Sequence, residues 1–161
     1  MKILLVSLAL LASAVLFADP VNLLKPANIK DSWRFETAGE SKGEMVIVED
    51  AVEFRTTATD DTDWHVQAVQ TGLELKNGTT YTIKFKARSP EEVTMAVNAM
   101  IDQEDWHQIG LREEFQMKKE FKDYSVEFTA SETVDKKNRI SFVLGYNKGS
   151  VFVKDLTMVV K

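Results

Sequence analysis

The chain has 161 residues, of which 44% are hydrophobic and 28% are charged, a balance that predicts a folded domain with a sizeable core and excludes a largely disordered chain. The formal net charge of -5 argues against nucleic acid or an anionic membrane as a partner, because such binding depends on concentrated lysine and arginine. The sequence contains no cysteine, which excludes disulfides and a lipid-anchored lipoprotein form.

The N-terminus has the layout of a secretory signal peptide. Lys2 is followed by an apolar stretch from Ile3 to Phe17 and by a small residue, Ala18, at a plausible cleavage position. The stretch is short for a membrane-spanning helix, which needs about 20 apolar residues. We therefore predict a signal peptide over residues 1–18, a single domain over residues 19–161 with no transmembrane segment, and a secreted or periplasmic protein.

Beyond the signal peptide, apolar and polar residues alternate with period two, which indicates half-buried β-strands. In the run TTYTIKFKAR, for example, Tyr81, Ile83, Phe85 and Ala87 alternate with polar residues. The other runs, in chain order, are EMVIV, AVEFRTTA, WHVQAVQ, EVTMAVNAMI, DYSVEFTA, NRISFVLGY and SVFVKDLTMVV. The pattern predicts about eight or nine strands in an all-β fold, an antiparallel β-sandwich of the jelly-roll type.

Turn residues separate these runs at short intervals. Asn77-Gly78 predicts a hairpin, since both residues tolerate positive φ, and the segment Asn147-Lys148-Gly149 predicts another. Ser89-Pro90 predicts the end of the strand that begins near Thr80. No linker or second domain is indicated.

The tripeptide Asp-Trp-His occurs twice, at residues 63–65 and 105–107, and contains both histidines and two of the three tryptophans. A zinc site on the two histidines would need a further ligand such as Asp63 or Asp105. The spacing argues against it, because adjacent residues of a strand point to opposite faces and no His-x-x-x-His or His-Glu-x-x-His motif is present. No nucleophile elbow and no recognisable carboxylate pair indicates hydrolysis either, so we predict no enzymatic activity.

The run WHVQAVQ divides into two faces. Trp64, Val66 and Ala68 share one face, which the alternation predicts to be core. His65 and Gln67 lie on the other face, where imidazole and amide groups can each donate and accept hydrogen bonds without carrying charge.

Amides beside an exposed aromatic ring are suited to sugars, because hydroxyls need donors and acceptors and the C–H face of a pyranose packs on a ring. Asn98 parallels Gln67 on the polar face of EVTMAVNAMI, and the alternative for both amides is a solvated surface position. Trp106, in the acidic, loop-like stretch DQEDWHQIG, is the leading candidate for the ring, and the alternative is a hydrophobe that plugs one end of the sandwich. The predicted ligand-binding residues are Trp106, Gln67, Asn98, His65, His107 and Trp64.

Four segments carry a family resemblance, and together they extend over nearly the whole of the predicted domain. They are Trp64–Gln67, Leu75–Arg88, Phe121–Phe128 and Phe142–Asp155. In order, they match a Trp-x-Val-Gln strand, a Leu-x-x-Gly-x-x-Tyr hairpin leading to Phe-x-Ala-Arg, a Trp/Phe-x-x-Tyr-Ser-x-x-Phe strand, and Phe-x-Leu-Gly followed by Gly-x-Val-x-x-Asp. The chain thereby resembles the carbohydrate-binding modules of the family four and nine group, which are galactose-binding-like jelly rolls.

The resemblance implies binding of β-glucan, xylan or a similar polysaccharide along a concave groove that includes Gln67, with no catalysis by the module and no required cofactor. It also implies a structural Ca²⁺ near the chain termini, for which Asp155 matches the acidic position of the last strand. The Asn-Leu-Leu start of the family is present at residues 22–24, but its Asn-Gly-x-Phe-Glu continuation is absent, and Glu36 is a displaced match.

Such modules normally lie beside a catalytic domain, whereas this chain reads as a signal peptide and one module. We therefore predict a secreted carbohydrate-binding protein that is free-standing or assembles with a separate glycoside hydrolase or a cell-envelope assembly. The alternative is an extracellular or periplasmic structural or protein-binding β-sandwich with no glycan ligand. It predicts an exposed apolar patch in place of a polar groove with solvent-facing rings.

Overall fold

The computed structural model describes residues 19–161, which form two stacked antiparallel β-sheets of five strands each. The predicted signal peptide, residues 1–18, lies outside the described residues. The first sheet, called the front sheet, consists in spatial order of β1 (Arg34–Thr37), β4 (Val66–Leu73), β9 (Asn138–Val143), β6 (Thr94–Ile101) and β7 (Gln108–Gln116). The back sheet consists of β2 (Lys42–Val48), β3 (Ala51–Ala58), β10 (Gly149–Val160), β5 (Thr80–Arg88) and β8 (Lys122–Thr129). The predicted jelly-roll sandwich is confirmed.

Two of the ten strands were not predicted, and both lie at the edges of the front sheet. β1 is only four residues long, which is too short for a clear alternation. β7 contains the consecutive charged residues 112–114, so its apolar positions, Ile109 and Leu111, do not continue as a period-two pattern. Edge strands tolerate such charges because one of their edges faces solvent.

The two predicted turns form, but neither closes a hairpin. Thr79 N donates to Lys76 O at 3.1 Å, and only Gly78 of the central pair has positive φ, at 77°. This turn leads from β4 in the front sheet to β5 in the back sheet, and residues 147–149 lead from β9 to β10 in the same way. The hairpin predictions are wrong because a tight turn between alternating strands looks the same in sequence whether the chain reverses within a sheet or crosses to the other.

An aromatic cluster joins the two sheets. Trp33, just before β1, packs edge-on against Phe54 of β3 with 5.1 Å between ring centroids and lies 5.5 Å from Phe142 of β9. Phe142 also packs 5.3 Å from Phe85 of β5. The indole Nε1 of Trp33 donates to the carbonyl oxygen of Ala27 at 2.8 Å, so the polar atom of this buried ring is satisfied. The cluster therefore packs the two sheets against each other through rings contributed by both.

The segment before β1 is fastened to the last strand by one amide. Asn22 Nδ2 donates to Leu156 O at 3.1 Å, and Asn22 Oδ1 accepts from Met158 N at 2.8 Å and from Leu24 N at 3.1 Å. Leu24 is thereby held in the core. No helix within residues 19–161 is long and apolar enough to span a membrane.

The amide of Asn22 provides a test of this fastening. We expect Asn22→Ala to lower the free energy of unfolding by about 1–2 kcal/mol, because the Met158 N–H and the Leu156 carbonyl lose their side-chain partner. Urea denaturation followed by far-UV circular dichroism measures the change. The neighbouring exposed residue Val21 offers a control, since Val21→Ala should alter the free energy by less than about 0.5 kcal/mol. Equal effects of the two substitutions would show that the Asn22 amide does not fasten this segment to the last strand.

Candidate functional site

The outer face of the front sheet carries a groove with a volume of about 560 Å³. All five strands of the sheet contribute to it, so the groove crosses the strands. The volume lies within the range of about 300–1,000 Å³ found for small-molecule sites. Its lining residues are Glu36, Trp64, Gln67, Asn98, Met100, Trp106, Gln108, Arg112 and Arg139.

Strand register determines which side chains form the groove. On β4, Val66 and Ala68 enter the core, so Gln67 between them points outward. Gln67 lies opposite Glu36 of β1 on one side and Val143 of β9 on the other. Outward side chains of neighbouring strands thus lie side by side across the sheet, which explains how residues distant in sequence line one cavity.

Gln67 is the most directly available hydrogen-bonding group in the groove. Its side chain belongs to a residue that is only 7% exposed, yet its amide makes no hydrogen bond to any residue of 19–161. Most of the Gln67 side chain is therefore covered by its neighbours, and its amide is left to face the groove. An amide without a protein partner has both a donor and an acceptor to offer to a ligand.

Asn98, only 3% exposed, is not a solvated amide, and it belongs to a hydrogen-bond network that borders the groove. In the amide orientation that satisfies both of its ends, Asn98 Oδ1 accepts from Arg112 Nη1 at 3.2 Å and Nδ2 donates to a backbone carbonyl at 3.2 Å. Arg112 Nη2 in turn donates to the carboxylate of Asp63 and, at 2.9 Å, to the hydroxyl oxygen of Tyr146. The Tyr146 hydroxyl donates to Glu114 at 2.8 Å, and burial together with this carboxylate raises the pKa of Tyr146. The network joins β7 to the segment before β4.

Trp64 is 53% exposed and lines the groove, so the prediction that it belongs to the core is wrong. Residues 63–65 form a short 3₁₀ turn, and β4 begins only at Val66. The turn breaks the period-two alternation, which places Trp64 outside the sandwich while the strand residues that follow it alternate as predicted. Its indole packs edge-to-face on the imidazole of His65, with 4.2 Å between ring centroids.

His65 is held by a carboxylate and lies beside the groove. Its Nδ1 is 2.8 and 2.9 Å from the two carboxylate oxygens of Asp60. The contact with His65 holds the pKa of Asp60 well below its usual range, and Asp60 also accepts from Glu40 N and Ser41 Oγ, each at 3.0 Å. His65 lines an adjoining cavity of about 510 Å³ that shares Trp64 with the groove. The imidazole therefore orients the indole.

Trp106 lies in the loop between β6 and β7 and is 48% exposed, which rules out the alternative of a hydrophobe that plugs the end of the sandwich. Asp105 and Trp106 both have positive φ, so the loop turns sharply at the tryptophan. The ring lies over the guanidinium of Arg139, whose central carbon is 5.1 Å from the ring centroid. Trp106 thus has one face on a protein cation, an arrangement that holds the ring while leaving part of it exposed.

His107 anchors the Trp106 loop but does not line the groove. Its Nδ1 lies 2.8 Å from Asp105 Oδ2 and its Nε2 lies 2.8 Å from the carbonyl oxygen of Glu132. Both partners are acceptors, so both ring nitrogens donate and the imidazole is protonated in this arrangement. The Glu132 carbonyl and then the Asp105 carboxylate raise the pKa of His107 above its ordinary value of 6.5.

Sequence reasoning missed Arg112, Arg139, Met100 and Gln108 as groove residues and treated Glu36 only in connection with calcium. One signal was present for Arg139. It is a charged residue at an outward position of NRISFV, a run whose other residues are nearly all apolar or small, and such a residue in a central strand must have a partner or a function. Arg112 and Gln108 belong to the unrecognised strand β7, so no face could be assigned to them.

The two metal hypotheses find no ligand set in the part of the chain that the structure describes. His65 and His107 bind separate aspartates, and nowhere in residues 19–161 do three His, Cys, Asp or Glu side chains converge as a metal site would require. Asp155 is exposed on the back sheet and accepts a hydrogen bond from Lys86 Nζ at 2.8 Å. These surroundings do not fit a Ca²⁺ site built on Asp155, and calcium binding stays a prediction from the resemblance.

A jelly roll with an open groove, two exposed tryptophans and buried amides has the features of a carbohydrate-binding β-sandwich. The sequence profile of the family described as "Carbohydrate binding domain" matches residues 22–149. The chain therefore belongs to this family, the carbohydrate-binding modules of the family four and nine group, and the resemblance noted in the sequence is confirmed.

Solved structures agree on the fold. The chain is similar to a family 4 carbohydrate-binding module, with 20% identity and a TM-score of 0.74 over 86% of this chain and 93% of that chain. It is also similar to the N-terminal cellulose-binding domain of Cellulomonas fimi β-1,4-glucanase C, with 16% identity and a TM-score of 0.65 over 89% and 98% of the two chains. The second N-terminal domain of that enzyme gives 14% identity and a TM-score of 0.68 over 89% and 97%. No curated protein matches the chain.

The raised pKa of His107 predicts a pH-dependent Trp106 loop. Because the folded pKa exceeds 6.5, the contribution of His107 is fully present below pH 6.5 and is lost as the pH rises through the folded value. We expect an NMR titration of the His107 ring to show this raised pKa. Trp fluorescence in a Trp64→Phe background should then change over the same range.

The variant His107→Gln serves as the comparison, since it cannot carry the charge. The fluorescence change should disappear in this variant. If the change persists there, His107 does not control the loop.

Proposed function

We propose that this protein is a secreted, non-catalytic carbohydrate-binding protein that holds a polysaccharide or oligosaccharide in the groove of the front sheet. Family membership supports carbohydrate binding. One observation carries the assignment to this groove: the exposed rings of Trp64 and Trp106 border the same cavity as the outward-facing amide of Gln67.

The chemistry of these groups matches that of a sugar chain. The C–H faces of pyranose rings can pack on the two indoles, and sugar hydroxyls can both donate to and accept from Gln67. Five strands at about 4.8 Å spacing give a path of about 19 Å across the sheet, so the groove suits an extended oligosaccharide or a segment of a polysaccharide more than a single sugar.

The charges of the groove support a binding role without catalysis. Glu36 pairs with Arg34 at 2.6 Å, and Asp63 pairs with Arg112. Glycoside hydrolysis needs one carboxylic acid with a raised pKa and a second carboxylate at a fixed separation from it. Against the effect of its burial, the contact with Arg112 lowers the pKa of Asp63, the opposite of what a general acid requires, and the Glu36 carboxylate is occupied by Arg34.

The alternative of a protein-binding sandwich predicts an exposed apolar patch in place of a polar groove with solvent-facing rings. Within residues 19–161, the large exposed apolar residues outside the groove are few: Val21, Ile29, Val46, Val48 and Val160. Single exposed apolar residues are normal on soluble proteins. The groove with its two solvent-facing rings therefore favours the glycan-binding function.

The proposal also includes the location of the protein and its macromolecular partner. The predicted signal peptide of residues 1–18 supports a secreted or periplasmic location. Fractionation of the producing cells with an antibody to the domain tests it, and the protein should be found outside the cytoplasm. A separate glycoside hydrolase or a cell-envelope assembly is the expected macromolecular partner.

The exposed rings provide the main test. Isothermal titration calorimetry against soluble glucans, xylans and mannans should identify a ligand, and Trp106→Ala and Trp64→Ala should each weaken its binding by about 1–3 kcal/mol, because stacking on the ring is lost. Phe152→Ala, on the outer face of the back sheet, is the control and should leave the affinity unchanged. The absence of binding by the unaltered protein across a broad glycan panel would refute the function.

Gln67 and Gln70 lie on the same strand, but their side-chain amides have different surroundings, so substituting each residue should have a different effect. Gln67→Ala should weaken glycan binding by about 1 kcal/mol or more with little change in stability, because its amide has no protein partner to lose. Gln70 accepts from Lys25 N at 2.8 Å and donates to Lys25 O at 3.0 Å, so Gln70→Ala should lower the stability and leave the affinity unchanged. Calorimetry and urea denaturation of both variants measure the contrast, and the reverse pattern would show that Gln67 is a structural residue.

A further inference from the structure

Arg139 is a buried cation that makes few hydrogen bonds within residues 19–161. The residue is 5% exposed, and its Nε has no hydrogen-bond partner. Nη1 lies 3.6 Å from Asp102 Oδ1 and 3.9 Å from Glu36 Oε2, distances that compensate charge but are too long for hydrogen bonds. The contact of Nη2 is with the sulfur of Met100 at 3.8 Å.

The two carboxylates near Arg139 are committed to a different residue. Arg34 Nε lies 2.6 Å from Glu36 Oε1, and the Nη atoms of Arg34 donate to Asp102 at 2.7 and 2.9 Å. The contact with Arg34 holds the pKa of Asp102 below its usual range, so this carboxylate stays ionised. Two cations and two anions therefore balance at this end of the groove, and the two carboxylates compensate the charge of Arg139 without hydrogen-bonding to it.

This arrangement costs stability and calls for an explanation. A buried donor without an acceptor costs about 1–3 kcal/mol, and more when it is charged. Burial lowers the pKa of Arg139, in keeping with a guanidinium that is desolvated and incompletely partnered. Acceptor oxygens of a ligand in the groove, which Arg139 lines, would supply what the protein does not.

Trp106 and Arg139 form one unit. The guanidinium lies beneath the indole at 5.1 Å, and both line the groove at the end where Asp102 and Glu36 balance the charge. A sugar unit in the groove that packs against Trp106 and extends past the edge of the indole would bring hydroxyls toward the donors of Arg139 that line the groove. Stacking and hydrogen bonding would then act on the same sugar unit.

Resting on the glycan-binding function, we propose that Arg139 is the specificity-determining residue of this groove. It holds Trp106 in place and donates hydrogen bonds to the acceptor oxygens of an uncharged sugar unit. A uronate is disfavoured at the same place, because its carboxylate would come close to Glu36 and Asp102. A hydroxyl or ring oxygen satisfies the guanidinium without adding a charge to a balanced site.

The first experiment separates binding from stability. Arg139→Met should lower the affinity for a neutral β-glucan or xylan oligosaccharide by about ten- to a hundredfold, the effect of losing hydrogen bonds from a charged donor. Its Tm should stay unchanged or rise, because an incompletely partnered buried cation is replaced by an apolar side chain and Arg34 still pairs with both carboxylates. Arg139→Lys, which keeps the charge but loses the planar fork, should also lose affinity.

Arg88→Met is the matched control. Arg88 lies 4.1 Å from the ring centroid of Phe152 on the back sheet, so it shares the cation–aromatic contact but not the groove. Its substitution should leave glycan affinity unchanged. If Arg139→Met instead lowers Tm and leaves affinity unchanged, Arg139 is a structural residue. Should Arg139→Met fail to fold, Arg139→Lys with unchanged affinity overturns the proposal equally.

A double-mutant cycle tests whether Arg139 and Trp106 act together on the same sugar. The combined loss in Trp106→Ala/Arg139→Met should be smaller than the product of the two single losses, because either substitution alone disrupts the shared sugar contact. Losses that multiply would show that the two residues act independently, which overturns the positioning of Trp106 by Arg139.

A separate experiment tests the proposed preference for an uncharged sugar over a uronate. The unaltered protein should bind a neutral β-glucan more tightly than the same glucan oxidised to the uronate at C6, and Glu36→Gln should reduce this preference at least several-fold. Equal or tighter binding of the oxidised glucan by the unaltered protein overturns the assignment. Absence of binding to every glycan refutes the proposed function itself, whereas binding that survives Arg139→Met refutes only this inference.

Discussion

The site depends on one constraint, which is the burial of the central strands of the front sheet on both faces. β4, β9 and β6 fill the core with one set of alternating residues, including Val66 and Phe142, and their outward set is almost as buried. Every polar group on that outward face must find a partner, because water reaches it poorly. Asn98 finds one in Arg112, whereas Arg139 Nε has none within residues 19–161. The groove is therefore a surface with unused hydrogen-bonding capacity, and this capacity is what a ligand can use.

The two exposed tryptophans are supported in different ways, although each belongs to an Asp-Trp-His tripeptide. Trp64 packs on the edge of His65, which Asp60 holds, while the Asp63 of the same tripeptide crosses to Arg112. Trp106 packs on Arg139, and the histidine of its tripeptide anchors the loop through Asp105. The two copies thus share composition but not geometry. One indole packs on an imidazole that a carboxylate holds, and the other packs on a guanidinium, so both rings are positioned by the protein itself and a ligand that bound to them would cost them little freedom.

The sequence predicted the fold class well because period-two alternation is a local property of each strand. It could not predict which turns cross between sheets, since Asn77-Gly78 suits a hairpin and a crossover equally. It misplaced Trp64 for a related reason: the 3₁₀ turn at residues 63–65 is stabilised by contacts of the loop with the rest of the domain, such as the bond from Gly145 N to Asp63 O at 2.8 Å. The groove cations were hidden because the pairing of β9 with β6 and of β6 with β7 is long-range, and only that register brings Arg139 and Arg112 to the same face as Gln67.

The distribution of unsatisfied hydrogen-bonding groups supports the proposed site independently of the family match. On the outer face of the back sheet, charged side chains find partners, as in Arg55 with Glu53 at 2.7 Å and Lys154 with Asp50 at 2.8 Å. Of the three buried side-chain atoms without a partner in the described residues, two, Arg139 Nε and Ser141 Oγ, lie at successive outward positions of β9. A sheet whose function was only structural would satisfy both faces alike, since unsatisfied groups reduce stability. The concentration of unsatisfied groups beneath one groove, on the central strand of one sheet, is the pattern expected where stability is given up for binding.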